Sequence, residues 1–204
     1  AVQVFNASYL SELRLLDRMG EHTKALELVP AVLTGLEEEG PRLHKEHELE
    51  FWWASSCAYF GAGEMNKALF WLNKLLNDTE PTLRQDLFTY ARLFNLVVHY
   101  ELGNFDLLEY IVRSTHRFLS KRHRANETET VLIDHVKRLA RATQPAVRRD
   151  LHRSLHERLS ELMEDPQERL ALKYFDFMAW SLSKVEGITY SEAVQRGARS
   201  GVQV

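Results

Sequence analysis

The chain has 204 residues, 45% of them hydrophobic and 27% charged, with only 9 Gly and 5 Pro. That length and balance excludes a disordered or low-complexity chain and is enough for one or two globular units with a sizeable core. The formal charge of −3 hides an uneven distribution: residues 1–116 hold 10 Lys and Arg against 17 Asp and Glu, and residues 117–158 hold 11 against 5.

Helical periodicity runs from the start. Leu10, Leu13 and Leu16 recur at three-residue steps, and Ala25, Leu28, Val29, Val32 and Leu36 follow at three and four. This is the spacing that collects side chains on one helical face. Gly20 separates the two runs, so a helix, a tight turn and a second helix are predicted, with Pro30 expected to kink the second. The pattern then repeats: a helix over 48–60, a turn at GAGE, a partner over 65–77; next a helix over 83–102, a turn at Gly103-Asn104 and a helix to Leu119.

A fourth pair is punctuated by proline. Asn126 with Glu129 has capping-box spacing, Gln144-Pro145 breaks the chain, and Leu151, Leu155, Leu159 and Met163 form a seam. Asp165-Pro166-Gln167-Glu168 then predicts the start of one helix running to Gly187, and Thr189 with Glu192 opens a last short helix. No stretch alternates long enough to read as a strand.

The phrase GEHTKAL at 20–26 returns as GEMNKAL at 63–69, and Gly103 lies 40 residues beyond Gly63. A period in this range marks a solenoid of stacked helical pairs. Gly20 is followed five residues later by Ala25, and Gly63 by Ala68; Trp52 and Tyr59 precede the second turn, Tyr9 and Leu16 the first, and Pro81 closes the second unit. On these residues the chain resembles the tetratricopeptide repeat family. The third unit departs, with Arg92, His99 and Leu108 at the matching places, and the fourth lacks the pattern. The stretch YFDFMAWSLSKVEG also resembles the ends of long bacterial repeat proteins.

The expected fold is therefore all-α, a right-handed α-α superhelix of about four antiparallel helix pairs plus C-terminal capping helices. Units fall at about 5–40, 46–81, 83–123 and 126–164, so repeats fill 1–165 and capping helices with a short tail fill 166–204. The resemblance implies an inner, concave face made by the first helix of each unit. Carried over by position, that face includes Leu10, Arg14 and Asp17, then Glu50, Trp53 and Phe60, then Tyr90, Leu93 and Tyr100.

Signals for chemistry are sparse. There is no GxSxG elbow, P-loop or CxxC pair. His152 and His156 stand four apart, but the HRSLH between them lacks a general-base glutamate, and a solvated helix face is expected, as it is for His44 and His47. No metal or cofactor is called for. The lone Cys57 lies in apolar FWWASSCAYF and reads as a buried hydrophobe, so a cytoplasmic setting is expected. No apolar run approaches the roughly 18 residues that span a bilayer. The chain begins with Ala and not Met, and so reads as processed or as a piece of a longer protein.

The basic segment is the sharpest charge feature: Arg117, Lys121, Arg122, Arg124, Lys137, Arg138, Arg141, Arg148, Arg149 and Arg153. Clustered, these groups would grip phosphates or an acidic partner, although no aromatic residue lies between 119 and 173 to stack on bases. The expected function is a non-enzymatic scaffold that binds a protein or peptide on the inner face. The alternatives are an internal segment of a larger repeat protein, or nucleic-acid binding by the basic segment.

Overall fold

A computed structural model of the chain describes residues 2–39, 44–121 and 126–199. Among the described residues it is all helical, with α1 (Val2–Arg18), α2 (His22–Glu39), α3 (Lys45–Gly61), α4 (Met65–Leu76), α5 (Gln85–Glu101), α6 (Phe105–Ser120), α7 (Glu127–Arg141), α8 (Pro145–Leu162), a 3-10 helix (Glu168–Lys173), α9 (Phe177–Glu186) and α10 (Tyr190–Arg199). Consecutive helices pack as hairpins. The first helix of each hairpin also rests on its neighbours in the row α1, α3, α5, α7, while α2, α4 and α6 each pack against the helix that follows.

The turns follow from the glycines. Gly20, Gly63 and Gly103 have φ of 67°, 82° and 72°, the left-handed region where a side chain is costly. In each, the residue after the glycine donates its N–H five residues back: Glu21 to Leu16, Glu64 to Tyr59, Asn104 to His99. These bonds satisfy carbonyls that the helix end leaves open. Five residues beyond the turn Ala25, Ala68 and Leu108 are fully buried, so each second helix closes tightly on the first.

Helix starts are fixed locally. The capping box of Asn126 and Glu129 forms at α7, and Thr189 with Glu192 forms its counterpart at α10. Across Pro30 α2 remains a single α-helix.

The single helix expected between Pro166 and Gly187 does not form. It is split into the 3-10 helix, an irregular link at 174–176, and α9. Phe175 and Phe177 are both buried, at 2% and 0% exposure. Two residues apart on an α-helix point about 200° from each other, and here the irregular link turns both rings into the main core. Asp176 then caps α9 by accepting from the Ala179 N–H at 2.8 Å. Asp165 accepts from the Gln167 N–H at 2.8 Å, as a cap should. Glu168 instead accepts from the N–H groups of Glu127 and Thr128 at 3.0 and 2.8 Å, tying this segment to the start of α7.

From there the chain turns back over the row of first helices. α9 lies on α8, α10 lies on α9 and reaches α1. The C-terminal part is thus a strap that joins the fourth hairpin to the first.

Candidate functional site

Between α1, α3, α5 and this strap lies a cavity of about 540 Å³. Leu13, Ala54, Cys57 and Leu87 form apolar walls with Trp53, and Tyr174, Tyr190 and Val194 close it from the strap. The mouth carries Leu15 and Met19, which are 57% and 48% exposed, beside the exposed cations Arg14, Arg18 and Lys173.

Of the inner-face residues expected from sequence, Arg14, Asp17, Glu50 and Trp53 meet in this cavity. The other five do other work. Leu10 is buried in the α1–α2–α3 core, and Leu93 is 1% exposed in the main core. Tyr90 stacks on Tyr174 at 4.3 Å, and Phe60 meets Phe94, Phe175 and Tyr190 edge-on at 5.1–5.2 Å. Tyr100 lies 3.1 Å from His152 Nε2 through its hydroxyl and packs against Trp180. The strap therefore covers much of the face that the repeat pattern left open. Arg84, Lys173, Tyr174, Asp176 and Tyr190 are cavity residues that sequence reasoning missed. The only cue was the period-two aromatic run in YFDF, which does not fit a helix.

Charges at the upper end of the cavity are matched. Glu50 pairs with Arg84, with Arg14 at 3.1 Å and with His47 at 3.6 Å. Arg84 also holds Asp86 at 3.1 Å, and the Tyr174 hydroxyl donates to the same carboxylate. Burial alone would raise the Asp86 carboxyl, but its bonds from Arg84 and Tyr174 outweigh this and hold it down at about 2. Burial, with Asp86 alongside, pushes the Tyr174 phenol up to about 12.

At the lower end the cavity is lined by two carboxylates, Asp17 and Asp176. Burial and then the charge of Asp17 raise the Asp176 carboxyl. Burial and Asp17 likewise raise the Cys57 thiol, which stays protonated and is no nucleophile at neutral pH. Asp17 Oδ1 lies 3.1 Å from His22 Nε2, and His22 Nδ1 lies 2.7 Å from Ser191 Oγ. The order Ser, His, Asp invites comparison with hydrolytic triads. Here, however, the imidazole is 0% exposed, and the serine hydroxyl is committed to the Gly61 carbonyl at 2.8 Å. The arrangement fastens α10 and presents no free nucleophile.

The paired histidines of α8 correct the expected solvated face. His152 is 1% exposed, and burial, then Lys184, His135 and Arg148, lower it to about 3. His156 Nδ1 lies 3.2 Å from both the Met178 carbonyl oxygen and Ser181 Oγ. Both rings face α9, because α9 folds back onto α8. Among the described residues there is no group of three or more side chains that could hold a metal ion.

The basic segment is partly consumed within the protein. Arg141 pairs with Glu109 at 3.0 Å, Arg153 with Asp150 at 2.7 Å, and Arg148 donates to the Ala142 carbonyl at 2.7 Å while lying over Phe105. Arg117, Lys121, Lys137, Arg138 and Arg149 are exposed, and Arg122 and Arg124 lie outside the described residues. No helix among the described residues is long and apolar enough to cross a membrane. Comparison of the chain with protein-family models, with curated proteins and with solved structures returns no match.

Proposed function

We propose that the chain is a non-enzymatic interaction module whose hairpins form a tetratricopeptide-like, right-handed superhelix, and that a peptide segment of a protein partner binds at the inner-face cavity. The observation that carries this reading is the cavity itself. Its volume of about 540 Å³ suits one or two side chains, and Trp53 gives it a large rigid wall of the kind that dominates binding hot spots. The exposed Leu15 and Met19 beside Arg14, Arg18 and Lys173 at the mouth match a segment with an apolar anchor and acidic flanks. Catalysis finds no support in the same place, because the Ser191 hydroxyl is engaged and the Cys57 thiol is held neutral.

Panning a displayed peptide library on the protein tests this reading. A shared apolar-acidic motif should be enriched, and its affinity should fall at least about tenfold in Trp53→Ala and in Arg14→Glu with helicity unchanged. Failure to enrich any motif, or an affinity indifferent to both changes, would overturn it.

A further inference from the structure

Lys45 on α3, Arg84 just before α5 and Arg92 within α5 are all partly buried cations, and two of the three are answered by carboxylates. Lys45 lies 2.8 Å from Glu48 and 2.7 Å from Asp78, with its ammonium over the Trp52 ring. Arg84 pairs with Glu50 and Asp86. Burial pushes both cations down, but these carboxylates outweigh it and raise them. Arg92 differs. Among the described residues it makes no hydrogen bond or ion pair, its Nε is buried without a partner, and burial alone lowers the guanidinium. It lies over the Phe118 ring of α6 at 4.4 Å.

The repeat register sharpens the contrast. Gly103 lies 40 residues beyond Gly63, and at that spacing Trp52 answers to Arg92 and Asp78 to Phe118. The second hairpin surrounds its cation with a ring and carboxylates. The third puts a cation where the ring stood and a ring where a carboxylate stood. A partly desolvated cation over an aromatic face regains only part of its hydration energy. What the third hairpin lacks is an anion.

The surroundings are cationic as well. No Asp or Glu stands between Glu109 and Glu127, whereas Arg113, Arg117, Lys121, Arg122 and Arg124 do. Glu109 and Glu127 are themselves engaged by Arg141 and Arg158. Arg117 and Lys121, one and three residues from Phe118, are exposed and make no ion pair among the described residues. The negative end of the α6 dipole, about half a charge, is outnumbered by these cations. A single carboxylate would bring one charge to this place. A phosphate group brings about −1.5 to −2 near pH 7 and several acceptor oxygens, which suits one guanidinium below and further cations at the rim.

We propose that Arg92 is the floor of an oxyanion site at the C-terminal end of α6, and that the group it takes is a phosphate, either free or on a phosphorylated side chain. Phe118 holds the guanidinium in place, and Arg117 and Lys121 supply the remaining positive charge. None of these four residues lines the cavity, so the site is separate from the binding role proposed above.

Inorganic phosphate is the first probe, titrated into the whole chain near pH 7 with ionic strength held constant by chloride. In NMR spectra the Arg92 Nε–H signal and the amides of residues 116–121 should shift and saturate. Arg92→Met keeps a side chain on Phe118 without the charge, and should weaken phosphate binding at least about tenfold. Arg92→Lys keeps the charge but loses the planar fork, and should fall between the two. Lys121→Glu, an exposed change, should also weaken binding, and it keeps the test open whatever Arg92→Met does to the fold. Competition by a phosphoserine peptide, and not by its serine counterpart, would assign the site to a phosphorylated side chain; saturable phosphate binding without such competition would assign it to the free ion. Shifts that do not saturate, or that Arg92→Met and Lys121→Glu leave unchanged, overturn the site. So does an oligonucleotide that binds at Arg92 where phosphate alone does not, because the surface would then read a nucleic-acid backbone.

Discussion

The two copies of the repeated phrase, GEHTKAL and GEMNKAL, build the same turn and then part company. Gly20 and Gly63 both hold positive φ, and Ala25 and Ala68 are both fully buried. Around Gly63, however, a Cβ would meet nothing within 4 Å, whereas at Gly20 it would lie 2.6 Å from the Ser191 carbonyl oxygen and 2.8 Å from the Gln195 side chain. The third position differs as well: Met65 packs partly buried against the main core, whereas His22 is sealed in and hydrogen-bonded to two helices. One copy is only a hinge. The other is a hinge on which the far end of the chain has docked, so a repeat can specify local geometry while its unmatched residues carry long-range closure.

The glycines give the sharpest way to break this comparison. Gly63→Ala should cost about 1–2 kcal/mol, the penalty of a left-handed backbone with a side chain. Gly20→Ala carries the same penalty and also drives a methyl group into α10, where overpacking adds about 1–3 kcal/mol. Urea denaturation should therefore show the first-copy variant losing more, with faster hydrogen exchange in α10 that the Gly63 variant does not share. Equal losses would mean that α10 does not press on the first turn.

A smaller effect comes from exchanging the third position. His22→Met brings the first copy closer to the second, but takes the imidazole from Asp17 and from Ser191, which keeps the Gly61 carbonyl, at about 1–3 kcal/mol. The reverse change, Met65→His, removes only a partly buried thioether and should cost less than about 1 kcal/mol. Thermal melts of the two variants at one pH, read side by side, test whether the asymmetry lies at this residue.

What could be read from sequence follows the same division. The hairpins were legible because their signals are local: apolar spacing of three and four, a glycine at each of the first three turns, and the capping boxes at Asn126 and Thr189. A smaller part of the cavity was legible too, since the resemblance carries Arg14, Asp17, Glu50 and Trp53, four of its twenty lining residues, to the inner face. The strap was not. Its course depends on Phe175 entering a ring of aromatics from α3, α5 and α10, and on His22 meeting a serine 169 residues away. Neither partner is visible within a helical window. The misreading of His152 and His156 as a solvated pair has the same origin, because α9 covers a face that looks open when α8 is considered alone.

The tether of the strap at α5 gives the smallest but most specific effect. There the Tyr174 hydroxyl donates to the Asp86 carboxylate. A free aspartate titrates near 3.9, and Asp86 is held at about 2, so its contribution is complete above about pH 4 and is lost as pH falls through 2. The Tyr174 phenol, ordinarily near 10 and raised to about 12, contributes below pH 10 and loses that contribution as pH rises toward 12. Between about pH 4 and 10 this tether is therefore constant. Tyr174→Phe keeps the stack on Tyr90 and removes only the hydroxyl, so it should lower stability by less than about 1.5 kcal/mol and by the same amount at pH 5 and pH 9. Urea midpoints at those two pH values check it, and a loss confined to one of them would show that the hydroxyl acts through a group that titrates between them.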